Sequence, residues 1–224
     1  MVVVVGQDGL VANAAKYVGD LPIVAVNPDP KRIDGVLLPF HVREVQHAVQ
    51  RTLDRAAEVR HVTLAEVTLN DGQSLLAFND FFIGCRTHVS ARYTLRVDTR
   101  SEAQSSSGVI VSTGAGSTGW LSSMFNMAEG FVHWMGGQLQ PRTELSWEDP
   151  RLVWVVREPF RSKHSGADLV AGILEAGEEL TIESLMPAGG VIFSDGVETD
   201  GLEFTSGTVA SFTTSKRQAT LVVG

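Results

Sequence analysis

Asp8 stands in Val5-Gly6-Gln7-Asp8-Gly9, where an apolar β-branched run meets a glycine turn and then a helical stretch. Backbone N–H groups of such a turn approach phosphate closely, and the helix dipole favours an anion there. Gly6 and Gly9 are therefore candidates for holding a phosphate. The Asp8 carboxylate has two possible uses: accepting a proton from a hydroxyl nucleophile, or helping to place Mg²⁺. A plain left-handed turn with a helix-capping Asp explains the same residues, and taken alone it is the more economical reading.

A second candidate is the loop Val111-Ser112-Thr113-Gly114-Ala115-Gly116-Ser117-Thr118-Gly119-Trp120. A strand leads into it and a helix leaves it. Residues 114–119 match the dinucleotide fingerprint of a Rossmann domain formally. That fingerprint also needs a strand ending in an acidic residue about 20 positions on. Glu129 comes early and falls inside the predicted helix, so the match is weak. Bare backbone at Gly116 with the hydroxyls of Thr113, Ser117 and Thr118 suits a polyphosphate or a ribose, and ligand binding is favoured over an ordinary loop.

Asn79-Asp80, an amide beside a carboxylate, suits the two hydroxyls of a ribose, although a turn explains the dipeptide more simply. Asp195-Gly196 and Asp200-Gly201 read as hairpin turns without ligand chemistry. Of the four tryptophans, only Trp120 is placed to stack on a base; Trp134, Trp147 and Trp154 read as core or interface residues. The six histidines show no metal-ligand spacing, so a zinc site is not expected.

The elements around these residues change character along the chain. Val2 to Val5 has the pattern of a strand covered on both faces. A helix from about Leu10 to Val18 and a strand from Leu21 to Val26 follow. Apolar positions Val42, Val45, Val49, Leu53 and Ala56 mark an amphipathic helix. From there β signals dominate. Asn70-Asp71-Gly72 closes a hairpin, and residues 91–97 alternate as a half-solvated strand. Strands are predicted at 109–111, 152–156, 180–185, 190–193, 209–213 and 220–223, with a helix from about Thr118 to Trp134. Ser105-Ser106-Ser107 reads as a loop. The boundary falls near residue 58: residues 1–58 form a partial α/β nucleotide-binding layer and 59–224 a β-rich unit whose last strand returns to that layer. The first part is too small to bury a sheet face unaided.

Bulk properties bound the chemistry. The 224 residues are 43% hydrophobic and 20% charged, an ordinary globular mixture. A formal charge of −8 argues against nucleic-acid or anionic-membrane partners, which need clustered Lys and Arg. The single cysteine, Cys85, cannot form an internal disulfide, which favours a reducing compartment. No apolar run is long enough to span a bilayer, and the N-terminus lacks a basic region before its valines. A soluble, cytoplasmic protein is expected.

The order of these motifs resembles the NAD kinase family, through nearly the whole chain. An Asp in a glycine turn, an Asn-acid pair about 70 residues on, a Ser-Thr-Gly-x-Gly-Ser loop and a late Asp-Gly carry the likeness. Val26-Asn27-Pro28-Asp29-Pro30 with Gly35 and Leu38-Pro39, the loop at 112–117, and Val156-Arg157-Glu158-Pro159 look closest to its mitochondrial-type branch. The resemblance implies a fold of the α/β plus all-β class, a partial Rossmann-like N-terminal layer packed on a C-terminal β-sandwich, with the active site between them. It implies a phosphotransferase that moves a phosphoryl group from ATP or polyphosphate, with Mg²⁺, to the 2′-hydroxyl of the adenosine ribose of NAD. Asp8 would orient or deprotonate that hydroxyl. Asn79, Asp80, Thr118, Gly119, Trp120 and Ser123 would contact NAD, and Gly6, Gly9, Thr113, Gly116 and Ser117 the phosphates. Relatives are commonly homodimers or higher homo-oligomers. Gln7 and Leu10 stand where the family usually has Gly and Thr, and Ser107 where many relatives have Asp. A dinucleotide-binding protein with weakened catalysis, and a kinase with a lipid or sugar acceptor, remain as alternatives.

Overall fold

The computed structural model describes residues 1–139 and 145–224. The chain opens with strand β1 (Val2–Val5), helix α1 (Asp8–Ala15), β2 (Ile23–Asn27), the short β3 (Phe40–His41), a 3-10 turn at Val42–Glu44 and α2 (Val45–Leu53). β1 and β3 both lie parallel to β2. Alternation along β2 explains the layering. Ile23 and Ala25 pack with Val11, Ala12 and Ala15 of α1, whereas Val24 and Val26 pack with Val45 and Ala48 of α2. The helices therefore cover opposite faces, as in a Rossmann-like layer.

Strands β4 (Val59–Leu69), β5 (Ser74–Ala77), β6 (Asp80–Cys85), β7 (Ala91–Val97), β8 (Arg100–Ser106) and β9 (Val109–Ser112) come next. A 3-10 turn at Ala115–Thr118 leads into α3 (Trp120–Trp134). The chain ends with β10 (Leu152–Val156), β11 (Ala171–Leu174), β12 (Leu180–Ser184), β13 (Gly190–Ser194), β14 (Val197–Glu203) and β15 (Val209–Val222).

These strands form a nine-stranded mixed sheet and a six-stranded antiparallel sheet in the order β11-β10-β9-β6-β13-β14. The two sheets face each other across the main core. Tyr93, Leu95, Ile182 and Phe212 from one meet Phe81, Val111, Trp154 and Ile192 from the other. Phe81 and Phe212 make an edge-to-face pair across it, with centroids 5.5 Å apart.

β15 is the splint between the two halves. One side pairs along its length with β4; the other pairs first with β12 and then, at Leu221, with β2. Two strands expected at 209–213 and 220–223 are thus one, interrupted by a register shift between Thr214 and Gln218.

Several expectations are corrected. β1 is not covered on both faces: it is an edge strand, with Val3 40% and Val5 52% exposed. Ser105 and Ser106 lie in β8, and Ser106 is buried against the Tyr93 hydroxyl at 2.7 Å. Asp200-Gly201 sits within β14 rather than in a turn. Of the tryptophans read as core or interface residues, Trp154 is buried in the core as expected and Trp134 is 79% exposed. Among the described residues, no helix is long and apolar enough to cross a membrane.

Candidate functional site

A hollow of about 350 Å³ opens between the α/β layer and the sandwich. Asp8, Asn79, Asp80, Thr118, Gly119 and Trp120 all line it. Residues separated by more than a hundred positions are brought together because α1, the β5–β6 connection and the start of α3 end at the same cleft.

Asp8 is the first residue of α1, where a carboxylate suits the positive end of the helix dipole. It caps no N–H of its own helix. Instead, its Oδ1 accepts the backbone N–H of Leu37 at 2.6 Å. The 28–39 loop is shaped for that contact by Asn27. The Asn27 side chain accepts the Asp29 N–H at 3.0 Å and donates to the Ile33 carbonyl at 3.1 Å. Gly35, at φ 69°, completes the bend. Leu37 and Leu38 then anchor the loop in the core beneath α1.

The turn at Phe78, Asn79 and Asp80 is held from both sides. Its carbonyls face the glycine loop: Thr113 Oγ1 donates to the Phe78 carbonyl at 2.6 Å, and the Thr113 N–H donates to the Asn79 carbonyl at 2.9 Å. Its N–H groups face Asp195, whose carboxylate accepts from Phe78 at 3.0 Å, Asn79 at 2.6 Å and Asp80 at 3.4 Å. Asp195 itself has φ 55° in the turn between β13 and β14. Asp195 therefore lines the hollow as well as closing a hairpin.

A buried carboxyl beside a second carboxylate is harder to ionise. Burial, and then the charge of Asp195, push Asp80 up to about 7. Burial also raises Asp195, but its three backbone donors and Lys16 oppose the shift.

No protein-family model matches the chain. NAD kinase 2 of Geobacillus kaustophilus (strain HTA426) is 31% identical over 130 residues, covering 55% of this chain and 47% of that protein. The match thus spans about half the length of the curated relative. Among solved structures, yeast NADH kinase complexed with NADH superposes over 99% of this chain and 61% of its own, with TM-score 0.73 and 18% identity. An NAD kinase from Archaeoglobus fulgidus in complex with ATP covers 98% and 76%, with TM-score 0.66 and 19% identity.

The chain is similar to NAD kinases, in sequence over about half its length and in fold over nearly all of it.

Within that NAD kinase fold, the expected site residues divide into two groups. Asp8, Asn79, Asp80, Thr118, Gly119 and Trp120 share the hollow, whereas Gly6, Gly9, Thr113, Gly116, Ser117 and Ser123 do not line it. Thr113 is fully buried. Ser117 Oγ donates to the Gly114 carbonyl at 2.7 Å. Gly116 is bare for a packing reason: a Cβ there would lie 2.2 Å from the Asn79 carbonyl oxygen. The glycine loop thus buttresses the Asn79-Asp80 turn.

Trp120 stacks on Phe82, with centroids 5.5 Å apart and planes 9° from parallel, and the Arg157 guanidinium lies 5.1 Å from its ring. It also lines a second hollow of about 400 Å³ with Phe82, Ser107, Arg157 and Glu158. One aromatic face thus lies between two adjoining hollows. Asp34, Leu37, Trp147 and Asp195 also line the first hollow, and sequence reasoning did not place them there. Only the late Asp-Gly offered a signal, which a hairpin turn explained equally well.

Proposed function

We propose that this protein is a phosphotransferase that moves a phosphoryl group from ATP to the 2′-hydroxyl of the adenosine ribose of NAD. The observation that carries this reading is the convergence of Asp8 with Asn79, Asp80 and Trp120 on one hollow. Phosphoryl transfer requires mainly positioning and neutralisation of charge. Asp8, held in orientation by the Leu37 N–H, accepts the proton of the attacking hydroxyl. Asn79 and Asp80 bond the ribose hydroxyls, and Asp80, titrating at about 7, serves as donor or acceptor. Trp120 supplies a flat apolar face for a ring of the dinucleotide.

Among the described residues, no three His, Cys, Asp or Glu side chains converge to hold a metal. Mg²⁺ commonly binds through one or two carboxylates plus substrate phosphates. The lining would suit a nucleotide-borne ion, with Asp34 on the hollow wall as its protein ligand and Asp8 kept as the base. When bound, the ion neutralises charge on the transferring phosphate. In this reading residues 1–58 serve the nucleotide and 59–224 the NAD, and the protein acts in the cytoplasm as a homo-oligomer. The fold is the one shared with the yeast NADH kinase and the archaeal NAD kinase, and nothing comparable favours a lipid or sugar acceptor.

The test is direct. Purified protein incubated with ATP, Mg²⁺ and NAD should produce NADP, read by a coupled dehydrogenase. Tight NAD binding without NADP formation, with either ATP or polyphosphate as donor, overturns the kinase reading in favour of a binding protein.

A further inference from the structure

We infer that Lys16 is a positioning residue, which locks the Asp8-bearing helix to the Asn79-Asp80 turn through Asp195. This inference rests on the kinase reading above and adds a residue to its site.

Lys16 follows the last turn of α1, while Asp8 begins it. Eight residues of helix put the two about 12 Å apart along one rigid rod. The Lys16 side chain is only 1% exposed, an unusual location for an ammonium group without a specific partner. Its Nζ donates to Ser194 Oγ at 2.9 Å and to Asp200 Oδ2 at 3.3 Å, and it lies 3.9 Å from Asp195 Oδ2. All three partners belong to the β13–β14 hairpin. Tyr17, next along the chain, donates its hydroxyl to the same Asp200 carboxylate. One end of α1 is therefore fastened to the sandwich, and the other end presents Asp8 to the cleft.

The hairpin passes this constraint on. The Asp195 N–H donates to the Asp80 carbonyl at 3.0 Å, while the Asp195 carboxylate receives the N–H groups of residues 78–80. An uninterrupted chain of bonded groups thus runs from the α1 terminus to the turn that aims Asn79 and Asp80. Buried ion pairs contribute little net stability, whereas removing one member leaves the other uncompensated. A structural role alone gives no reason for the pair to end on the backbone of the ribose-facing residues. Positioning does, because small misplacements of reacting groups are costly in rate.

Lys16→Met keeps the length and apolar stem and removes the charge. The expected result is a fall in kcat/KM for NAD of about a hundredfold in the folded fraction, with Lys16→Arg retaining activity within about tenfold of wild type. A purely structural strut would lower the melting temperature and leave kcat and KM of the folded protein at their wild-type values; that result overturns the inference. Should Lys16→Met fail to fold, Asp195→Asn decides. It removes the charge while keeping the side-chain shape, and its kcat/KM is expected to fall to a similar extent; wild-type kinetics would overturn the inference. If the unsubstituted protein makes no NADP, the kinase reading itself fails, and the two failures are thereby distinguished.

Discussion

The Asp8 carboxylate accepts the Leu37 backbone N–H at 2.6 Å, across 29 positions of chain. This bond fixes one carboxylate oxygen and leaves the other for the cleft. A general base works within hydrogen-bond reach of the proton it takes, so its orientation counts as much as its charge. The loop that supplies the N–H is consequently part of the catalytic apparatus in the kinase reading.

Gly35→Ala tests that loop without touching a cleft side chain. Its φ of 69° disfavours any Cβ, and the added methyl would lie 2.4 Å from Asn27 Nδ2. The substitution should cost about 1–3 kcal/mol in a urea melt, through strain at a left-handed position. In steady-state assays kcat should fall more than KM for NAD rises, because Leu37 shifts relative to Asp8. An unchanged kcat would show that the loop does not orient the base.

Gly116→Ala addresses the buttress. The new Cβ would meet the Asn79 carbonyl oxygen at 2.2 Å and Ser112 Oγ at 2.5 Å. Backbone cannot give way as a flexible side chain does, so a loss of about 1–3 kcal/mol or more is expected in thermal melts. NAD affinity should fall with it, since Asn79 must move. Wild-type stability would contradict the packing account of this glycine.

Asp80 gives the stability a pH dependence of defined sign. Its value rises from the ordinary 3.8 to about 7 through burial and the charge of Asp195. Between those limits the folded protein holds a proton that the unfolded chain has released, so this group's contribution to stability falls as pH rises from about 4 to about 7. The decline stops above the folded value. Asp80→Asn should therefore raise the melting temperature at pH 8 more than at pH 4, while weakening NAD binding. A stabilisation that is equal at both pH values would remove the titration from the account.

Trp120→Ala should raise KM for NAD by about tenfold, the scale of one lost base–aromatic stack of ~1–3 kcal/mol, with kcat changed less. Trp120→Phe should keep most of the affinity, because the Phe82 face remains available for stacking. Equal loss in the two variants would point to a different use of the indole.

Local chemistry made Asp8, Asn79-Asp80 and the Thr118–Trp120 segment legible as candidates, since each sits where a turn meets a regular element. Their convergence was not legible, because it depends on how β15 joins the two halves and on how the cleft ends of three elements align. Hydroxyls in a glycine-rich loop attract a phosphate reading, and Thr113 and Ser117 also bond within the protein. Sequence alone does not distinguish a loop that faces a ligand from one that supports its neighbour. Lys16 gave no signal, since a lysine at a helix terminus is ordinarily solvated, and only the hairpin 178 positions away encloses it. The strand β14 was hidden by its composition: an edge strand rich in Glu and Asp has no apolar alternation to read.

The most direct measurement compares Asp8→Asn with the unsubstituted protein in single-turnover formation of NADP, alongside calorimetric titration with NAD. A positioned base contributes about 10²–10⁴-fold to such a step. The rate should fall by at least the lower figure, with NAD affinity within a few-fold of the original. A rate that survives the substitution would contradict the role given to Asp8, and with it the arrangement of the whole site.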